Sequence, residues 1–246
     1  MKFLLLACFL LVAFSQTYPK QTPVIGIYTQ STDEDDIDHF ESYIAASYVK
    51  FVEMSGAQVV PIYAFSTQAE IATLLPKING VLFPGGDESI DFTQRWTQNA
   101  QFILNWAMKE NDAGRVFPIW AVCLGYETLA VITSGNTNNM TTLSRVRGEI
   151  NVLNTMKFVN HLDKGYILGD MTDRQIQKLT TGQGVMFYDH NWIVSMDTYN
   201  SNQNLSTFWK VITESTSPYN ERFVALWEAR KYPFYGVQFH PEKNSF

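Results

Sequence analysis

The stretch Phe117-Pro-Ile-Trp-Ala-Val-Cys123-Leu-Gly-Tyr-Glu127 decides the fold. An apolar run of strand length ends at Cys123, and residues 126–133 are typical of a buried helix in which only Glu127 is charged. A strand that turns at once into a helix strains and exposes the turn residue, and it points the helix N-terminus at that residue. The pattern therefore predicts that Cys123 is a nucleophile with a lowered pKa. The alternative is that Cys123 is a small buried apolar residue.

Short apolar runs alternate with helical segments through the first half of the chain. Alternation at this spacing indicates βαβ units and a parallel sheet, so the predicted fold class is α/β. The carboxyl edge of such a sheet holds the functional crevice, and we expect Gly85, Gly86 and Cys123 at that edge. The predicted strands cover 24–28, 58–63 and 79–86, and the predicted helices cover 43–54, 67–75 and 92–110.

The second half of the chain is less regular. No internal repeat, low-complexity linker or domain boundary is visible, so we expect residues 16–246 to form a single domain. Strand-like segments are predicted over 149–160, 184–196, 222–227 and 235–239, with a short helix near 173–179.

The first fifteen residues are typical of a secretory signal peptide. A short basic start, an apolar stretch and an Ala-x-Ser end predict cleavage after Ser15. The run is too short to span a membrane comfortably, so we expect no membrane contact after cleavage. Two sequons fit the secretory route and make Asn139 and Asn204 candidate glycosylation sites.

The cysteine count supports a thiol nucleophile. The chain has 2 cysteines. Cys8 leaves with the signal peptide, so Cys123 has no partner for an internal disulfide. An exported protein with one unpaired thiol at a strand–helix turn is a candidate nucleophile enzyme.

The overall charge excludes some classes of partner. The formal net charge is −6, and no basic block occurs in the sequence. Neither nucleic acid nor an anionic membrane surface is therefore expected as the main partner.

The end of the last predicted strand carries the groups that a thiol nucleophile needs. His240 follows this strand, Pro241 stops it, and Glu242 lies two residues on, which in extended geometry places its side chain on the same side as His240. A carboxylate there would orient the imidazole. The N–H groups of Gly86 and Leu124 would hold the developing oxyanion. The alternatives are a structural histidine and a tight turn at the glycine pair.

Three motifs resemble the signatures of class I glutamine amidotransferase-like hydrolases. They are Phe-Pro-Gly-Gly at 83–86, Cys-Leu-Gly-Tyr-Glu at 123–127 and Gly-Val-Gln-Phe-His-Pro-Glu-Lys at 236–243. Segments 43–50, 78–86 and 232–243 are similar, more narrowly, to the γ-glutamyl hydrolase family of secreted and lysosomal enzymes, which trim poly-γ-glutamate tails from folates. The resemblance runs from about Pro23 to the C-terminus. It implies a three-layer, flavodoxin-like sandwich with a mostly parallel central sheet.

The resemblance also implies roles for particular residues. Cys123 would be the nucleophile, His240 the base and Glu242 the orienting acid. Taken alone, His190 would be interpreted as a structural strand histidine and Glu127 as a buried helix-capping acid. The resemblance instead implies substrate-binding roles for Tyr43, Gly85, Gly86, Glu127 and His190.

Two features depart from the family pattern. Ala121 stands where most amidotransferases have glycine, and alanine is small enough that we expect little effect. The chain ends four residues after Glu242, whereas family members continue, so we expect a shortened C-terminus. Stability and any dimer contact would be affected more than the chemistry.

The favoured interpretation is cysteine-dependent hydrolysis of γ-glutamyl bonds in folyl- or antifolyl-poly-γ-glutamates through a thioester. The partner would be this small-molecule substrate, and the chain could also form a homodimer. The setting would be extracellular, lysosomal or vacuolar. No cofactor is required, and the histidine and cysteine spacing matches no metal site. One alternative is a glutaminase- or amidotransferase-type hydrolase of another γ-glutamyl compound, and the other is an inactive secreted binding protein on the same fold.

Overall fold

A computed structural model describes residues 22–32, 42–136, 141–160, 163–181 and 184–245. The predicted signal peptide, Cys8 and Asn139 lie outside these described residues. No helix in the described ranges is long and apolar enough to cross a membrane.

Strands of the described chain form one central sheet and three small two-stranded sheets. The strands are β1 (Val24–Tyr28), β2 (Gln30–Ser31), β3 (Ser42–Tyr43), β4 (Gln58–Ile62), β5 (Gly80–Phe83), β6 (Ile119–Val122), β7 (Ser144–Arg145), β8 (Val152–Asn154), β9 (Lys157–Phe158), β10 (Met186–Tyr188), β11 (Trp192–Ile193), β12 (Trp209–Thr216), β13 (Arg222–Ala229) and β14 (Phe234–Val237).

The central sheet has 8 strands in the order β4-β1-β5-β6-β14-β13-β12-β9. Pairing is parallel from β4 to β14 and antiparallel from β14 to β9. The register places Val237 of β14 beside Val122 of β6, so these two neighbouring strands end together. The segments that follow them, which carry Cys123 and His240, therefore leave the sheet at the same edge.

The helices are α1 (Ala46–Met54), α2 (Gln68–Leu74), α3 (Arg95–Asp112), α4 (Leu124–Thr133), α5 (Asp173–Thr180), α6 (Met196–Ser201) and α7 (Gln203–Phe208). Short 3-10 helices cover Leu75–Lys77 and Pro241–Ser245. Polar caps mark several starts: Thr67 and Thr172 each form a capping box, with Glu70 and Gln175 as the partners.

Two hydrophobic clusters cover the two faces of the central sheet. Alternation along β5 makes this clear, because Val81 and Phe83 belong to one cluster and Leu82 to the other. The first cluster includes side chains of α2, α3 and α4, and the second includes side chains of α1. Helices on both faces of a mostly parallel sheet confirm the predicted three-layer α/β sandwich.

The first half of the chain follows the predicted alternation closely, although two helices begin at other residues than predicted. The helix predicted over 43–54 begins at Ala46, because Ser42 and Tyr43 instead pair with Ser31 and Gln30 in a short antiparallel ladder. The helix predicted over 126–133 begins two residues earlier, at Leu124, immediately after the cysteine.

The second half differs more from the prediction. The predicted strand over 149–160 breaks into β8 and β9, and the one over 184–196 breaks into β10 and β11. Strand β12 and helices α6 and α7 were not predicted. Polar Lys210, Thr213 and Glu214 interrupt the apolar pattern of β12, and each of the two helices has only 6 residues, too few for a clear apolar stripe.

Candidate active site

Cys123 lies at the junction between β6 and α4. Its N–H donates to Val237 O at 2.9 Å, which ties the junction to the neighbouring strand. The backbone has φ 50° and ψ −110°, a conformation that is costly for a residue with a side chain. The strained turn predicted from the sequence is therefore present at the residue that was expected to carry it.

The surroundings of the thiol correct the expectations that Cys123 is exposed and that its pKa is lowered. Cys123 is only 5% exposed, because β6, α4 and the segment after β10 enclose it. Burial raises the pKa of the Cys123 thiol, and the nearby Glu127 carboxylate raises it further. The N–H of Leu124 acts in the opposite direction and lowers this pKa, but it does not prevail. The expected lowered pKa is therefore wrong, because burial and Glu127 raise the pKa of this thiol.

His240 and Glu242 form a buried pair. His240 Nδ1 and Glu242 Oε1 are 2.8 Å apart, and both residues are buried. The contact forms in a way that the sequence analysis did not foresee: Pro241–Ser245 is a 3-10 helix, not an extended segment. The N–H of His240 donates to Phe187 O at 2.8 Å, which fixes the histidine against β10.

Gly85 brings the thiol and the imidazole together. A β-carbon at this position would lie 2.8 Å from His240 Cε1 and 3.2 Å from Cys123 Cβ, so the two side chains converge beside a residue that has none. The N–H of Gly85 donates to Tyr48 Oη at 2.7 Å, and this hydroxyl lies 3.4 Å from His240 Nδ1. Tyr48 therefore links the glycine loop to the histidine.

Tyr48 was not among the predicted site residues. It lies on the buried side of α1, five residues after Tyr43, within the segment 43–50 whose resemblance to γ-glutamyl hydrolases was noted. Nothing in one sequence distinguishes it from an ordinary core tyrosine.

Cys123 opens into a cavity of about 430 Å³. Four carboxylate residues line it, together with polar and apolar side chains. The lining residues are Gly86, Asp87, Glu88, Ser89, Ile90, Cys123, Leu124, Glu127, Leu143, Ile150, Asp189, His190, Asn191 and Trp192. Gly86 and Leu124, the predicted oxyanion donors, thus reach the same cavity as the thiol, whereas Gly85 does not line it.

Glu127 and His190 are buried in the wall of this cavity. Burial raises the pKa of Glu127 to about 7, although a hydrogen bond from Gln238 acts to lower it. Burial lowers the pKa of His190 to about 4. His190 Nδ1 lies 3.0 Å from Trp192 O, and since a carbonyl can only accept, Nδ1 carries the proton and Nε2 is left as an acceptor.

Other predicted site residues lie elsewhere. Tyr43 is 43% exposed on β3 and is not among the residues that line the cavity. Asn204 is exposed on α7, and its Nδ2 donates to Ser134 O at 2.9 Å.

Asp189 and Lys243 were not predicted. They form an ion pair at 3.2 Å beside the thiol, and Lys243 acts to lower the pKa of Cys123. No three His, Cys, Asp or Glu side chains of the described ranges form a group that could hold a metal ion.

The sequence is similar to those of known proteins over most of its length. The family model of peptidase C26 matches residues 23–242. The chain is 33% identical to γ-glutamyl hydrolase of Rattus norvegicus over 225 residues. This match covers 91% of this chain and 68% of the rat protein. It is 33% identical over 233 residues to γ-glutamyl hydrolase of Homo sapiens, covering 91% of this chain and 68% of the human protein.

A solved structure extends the comparison to the fold. A protein of Thermoplasma acidophilum named as part of a GMP synthase matches with a TM-score of 0.58 and 13% identity, covering 91% of this chain and 86% of that one. This likeness confirms the class I glutamine amidotransferase-like fold.

Proposed function

The chain belongs to the peptidase C26 family, and from this membership we propose that it hydrolyses γ-glutamyl bonds through a thioester on Cys123. It is a hydrolase, and relatives named γ-glutamyl hydrolase support the choice of bond. The observation that carries the proposal is the convergence of strained Cys123 with the His240–Glu242 pair beside Gly85.

The first half-reaction forms the thioester. His240 Nε2 accepts the proton of Cys123 Sγ while the sulfur attacks the γ-carbonyl carbon, and the N–H groups of Gly86 and Leu124 stabilise the resulting oxyanion. His240 then gives that proton to the leaving nitrogen as the C–N bond breaks. Glu242 holds Nδ1 and stabilises the imidazolium in between.

The second half-reaction restores the thiol. His240 takes a proton from water, the hydroxide attacks the thioester carbonyl, and the C–S bond breaks with return of the proton to sulfur. Because burial raises the pKa of Cys123, removal of its proton by His240 suits this site better than a standing thiolate.

The substrate that the family resemblance suggests is a folyl- or antifolyl-poly-γ-glutamate. A second candidate is a small γ-glutamyl amide with a free α-ammonium group. The observation that favours it is the charge of the cavity wall, where Asp87, Glu88, Glu127 and Asp189 contribute carboxylates and the described lining contains no lysine or arginine. Lys243, which pairs with Asp189 at 3.2 Å, places a cation next to a lining residue of this cavity.

The cellular setting is part of the proposal. We propose that the signal-like N-terminus sends the protein into the secretory route, with Asn139 and Asn204 as glycan acceptors. Asn204 is exposed, although its Nδ2, the atom that would carry the glycan, donates to Ser134 O in the folded protein.

Product analysis tests the function directly. The protein is incubated separately with a folyl-poly-γ-glutamate and with γ-glutamyl-p-nitroanilide, and the products are identified by mass spectrometry. Cleavage of γ-bonds that Cys123→Ala abolishes supports the proposal. Turnover that survives in Cys123→Ala overturns the thioester mechanism, and the faster of the two substrates decides between the candidates.

A further inference from the structure

Gln30 packs directly on the proposed oxyanion loop. It is the first residue of β2 and is only 2% exposed. A β-carbon at Gly86 would overlap Gln30 Oε1 and would lie 2.7 Å from Gln30 Cδ. The amide group of Gln30 therefore lies against the main chain of Gly86, one of the loop residues that line the cavity.

The side-chain amide of Gln30 is buried without hydrogen bonds that would offset the loss of water. Neither Oε1 nor Nε2 of Gln30 has a hydrogen-bond partner among the described residues. Each such group costs about 1–3 kcal/mol when it is buried unpaired. A methionine would occupy a similar volume without this cost, so packing alone does not account for a glutamine here.

The loop around Gly86 is held on both sides. On one side Tyr48 Oη accepts the N–H of Gly85 at 2.7 Å. On the other side Glu88 Oε1 accepts hydrogen bonds from both the N–H and the hydroxyl of Ser31, the residue next to Gln30. Gln30 is the side chain that contacts the middle of the loop, between these two attachments.

We propose that Gln30 is a positioning residue, which holds the Gly86 peptide so that its N–H points at the developing oxyanion. This inference rests on the proposed function, in which Gly86 is an oxyanion donor. The amide has a free donor and a free acceptor beside the loop, and it can bond to the peptide groups of the loop as the substrate oxygen gains charge. A donor held about 1 Å out of place costs on the order of 100-fold in rate.

The test is Gln30→Met, measured on γ-glutamyl-p-nitroanilide. We expect kcat to fall by about 10- to 100-fold with KM changed by less than about threefold. We also expect Tm to be maintained or raised, because two unpaired buried polar atoms are removed. A purely structural role predicts the opposite combination, a lower Tm with kcat maintained in the folded fraction.

A second readout probes the oxyanion site itself. A γ-aldehyde analogue of glutamate should form a thiohemiacetal with Cys123, with its oxygen where the oxyanion forms. Its Ki should rise in Gln30→Met by about the same factor as kcat falls, and by more than KM changes. The matched control is Gln177→Met on the exposed side of α5, which should change neither kcat nor Ki.

The outcomes separate this inference from the function on which it depends. A wild-type enzyme that hydrolyses the substrate, with unchanged kcat and Ki in Gln30→Met, overturns the role of Gln30 alone. A wild-type protein without hydrolysis or aldehyde binding overturns the proposed function and this inference with it. If Gln30→Met does not fold, Gln30→Leu removes the amide from a shorter side chain, and unchanged kcat in that folded variant overturns the role.

Discussion

Glu127 Oε1 accepts a hydrogen bond from Gln238 Nε2 at 2.9 Å, and both side chains are buried. Glu127 lies in the first turn of α4, directly after Cys123, so its charge acts on the thiol. Protonation of this acid and ionisation of the thiol are therefore coupled: a negative Glu127 opposes a thiolate, and a neutral Glu127 does not.

Glu127→Gln should change how stability depends on pH. The pKa of Glu127 is raised from 4.5 to about 7 in the folded protein, so between these values the native state binds more protons than the unfolded state. The contribution of Glu127 to stability therefore falls as pH rises through this window. At pH 8 the variant should be more stable than wild type by about 3 kcal/mol, and the difference should disappear toward pH 4.5.

Urea unfolding at several pH values measures this difference. Wild type and variant share His190, whose pKa is lowered to about 4, and Glu149, whose pKa is raised to about 7. Their contributions cancel in the comparison, which isolates Glu127. A stability difference that does not vary with pH would contradict the raised pKa.

Alkylation of Cys123 should be slow. Because burial and Glu127 raise the pKa of the thiol, iodoacetamide should modify it at least about tenfold more slowly than a cysteine in a free peptide at pH 7. Glu127→Gln should speed the reaction above pH 7, where wild-type Glu127 is charged. Rapid labelling of the wild type at pH 6 would instead indicate a preformed thiolate.

Glu242→Gln should reduce kcat more than it changes KM. The variant keeps the size of the side chain but removes the charge that stabilises the His240 imidazolium. We expect kcat to fall by a factor on the order of ten to a few thousand, less than in His240→Ala. Steady-state kinetics on a γ-glutamyl peptide measures both constants. An increase in KM alone would make Glu242 a substrate contact and Glu127 the next acid to test.

Tyr48→Phe should lower both stability and rate. It removes the hydroxyl that accepts the Gly85 N–H at 2.7 Å and leaves that donor unpaired, at a cost of about 1–3 kcal/mol. Loss of the link to His240 should also lower kcat by up to about tenfold. The control is Tyr63→Phe, at a side chain that is 58% exposed, so Tm should not fall. Equal Tm in Tyr48→Phe and wild type would contradict the contact.

Expression in a secretory host tests the proposed route. The mature chain should begin at or near Gln16 and carry glycan on Asn139, Asn204 or both. Intact-mass measurement before and after enzymatic deglycosylation shows both changes. An unprocessed chain without glycan would contradict the secretory assignment.

The parallel half of the fold could be predicted because its signals are local. Each strand around β1 is a short apolar run, and one of the helices between them has a recognisable start in the Thr67 capping box. Strand β12 could not be predicted, because polar residues interrupt its apolar pattern in the sequence. Its pairing with β13 and β9 forms the strand instead. Tertiary pairing here outweighs local pattern.

Prediction of the site was limited in the same way. Cys123, His240 and Glu242 could be predicted because motifs carry them, although the 3-10 turn that joins the last two was not foreseen. Tyr48 and Gln30 could not, because a tyrosine in a helix and a glutamine after a strand are ordinary until the fold places them on Gly85 and Gly86. The pKa of Cys123 also depends on burial, which its neighbours in sequence do not determine.

The hydrogen bond from His240 N–H to Phe187 O has a consequence for which acyl groups are processed. Phe187 belongs to β10, and Asp189 and His190, which follow shortly, form a wall of the cavity. This hydrogen bond therefore couples the position of the cavity wall to the position of His240. We expect an acyl group that displaces this wall to displace the His240 imidazole as well, so a bulky branch near the γ-carbonyl should lower kcat more than it raises KM.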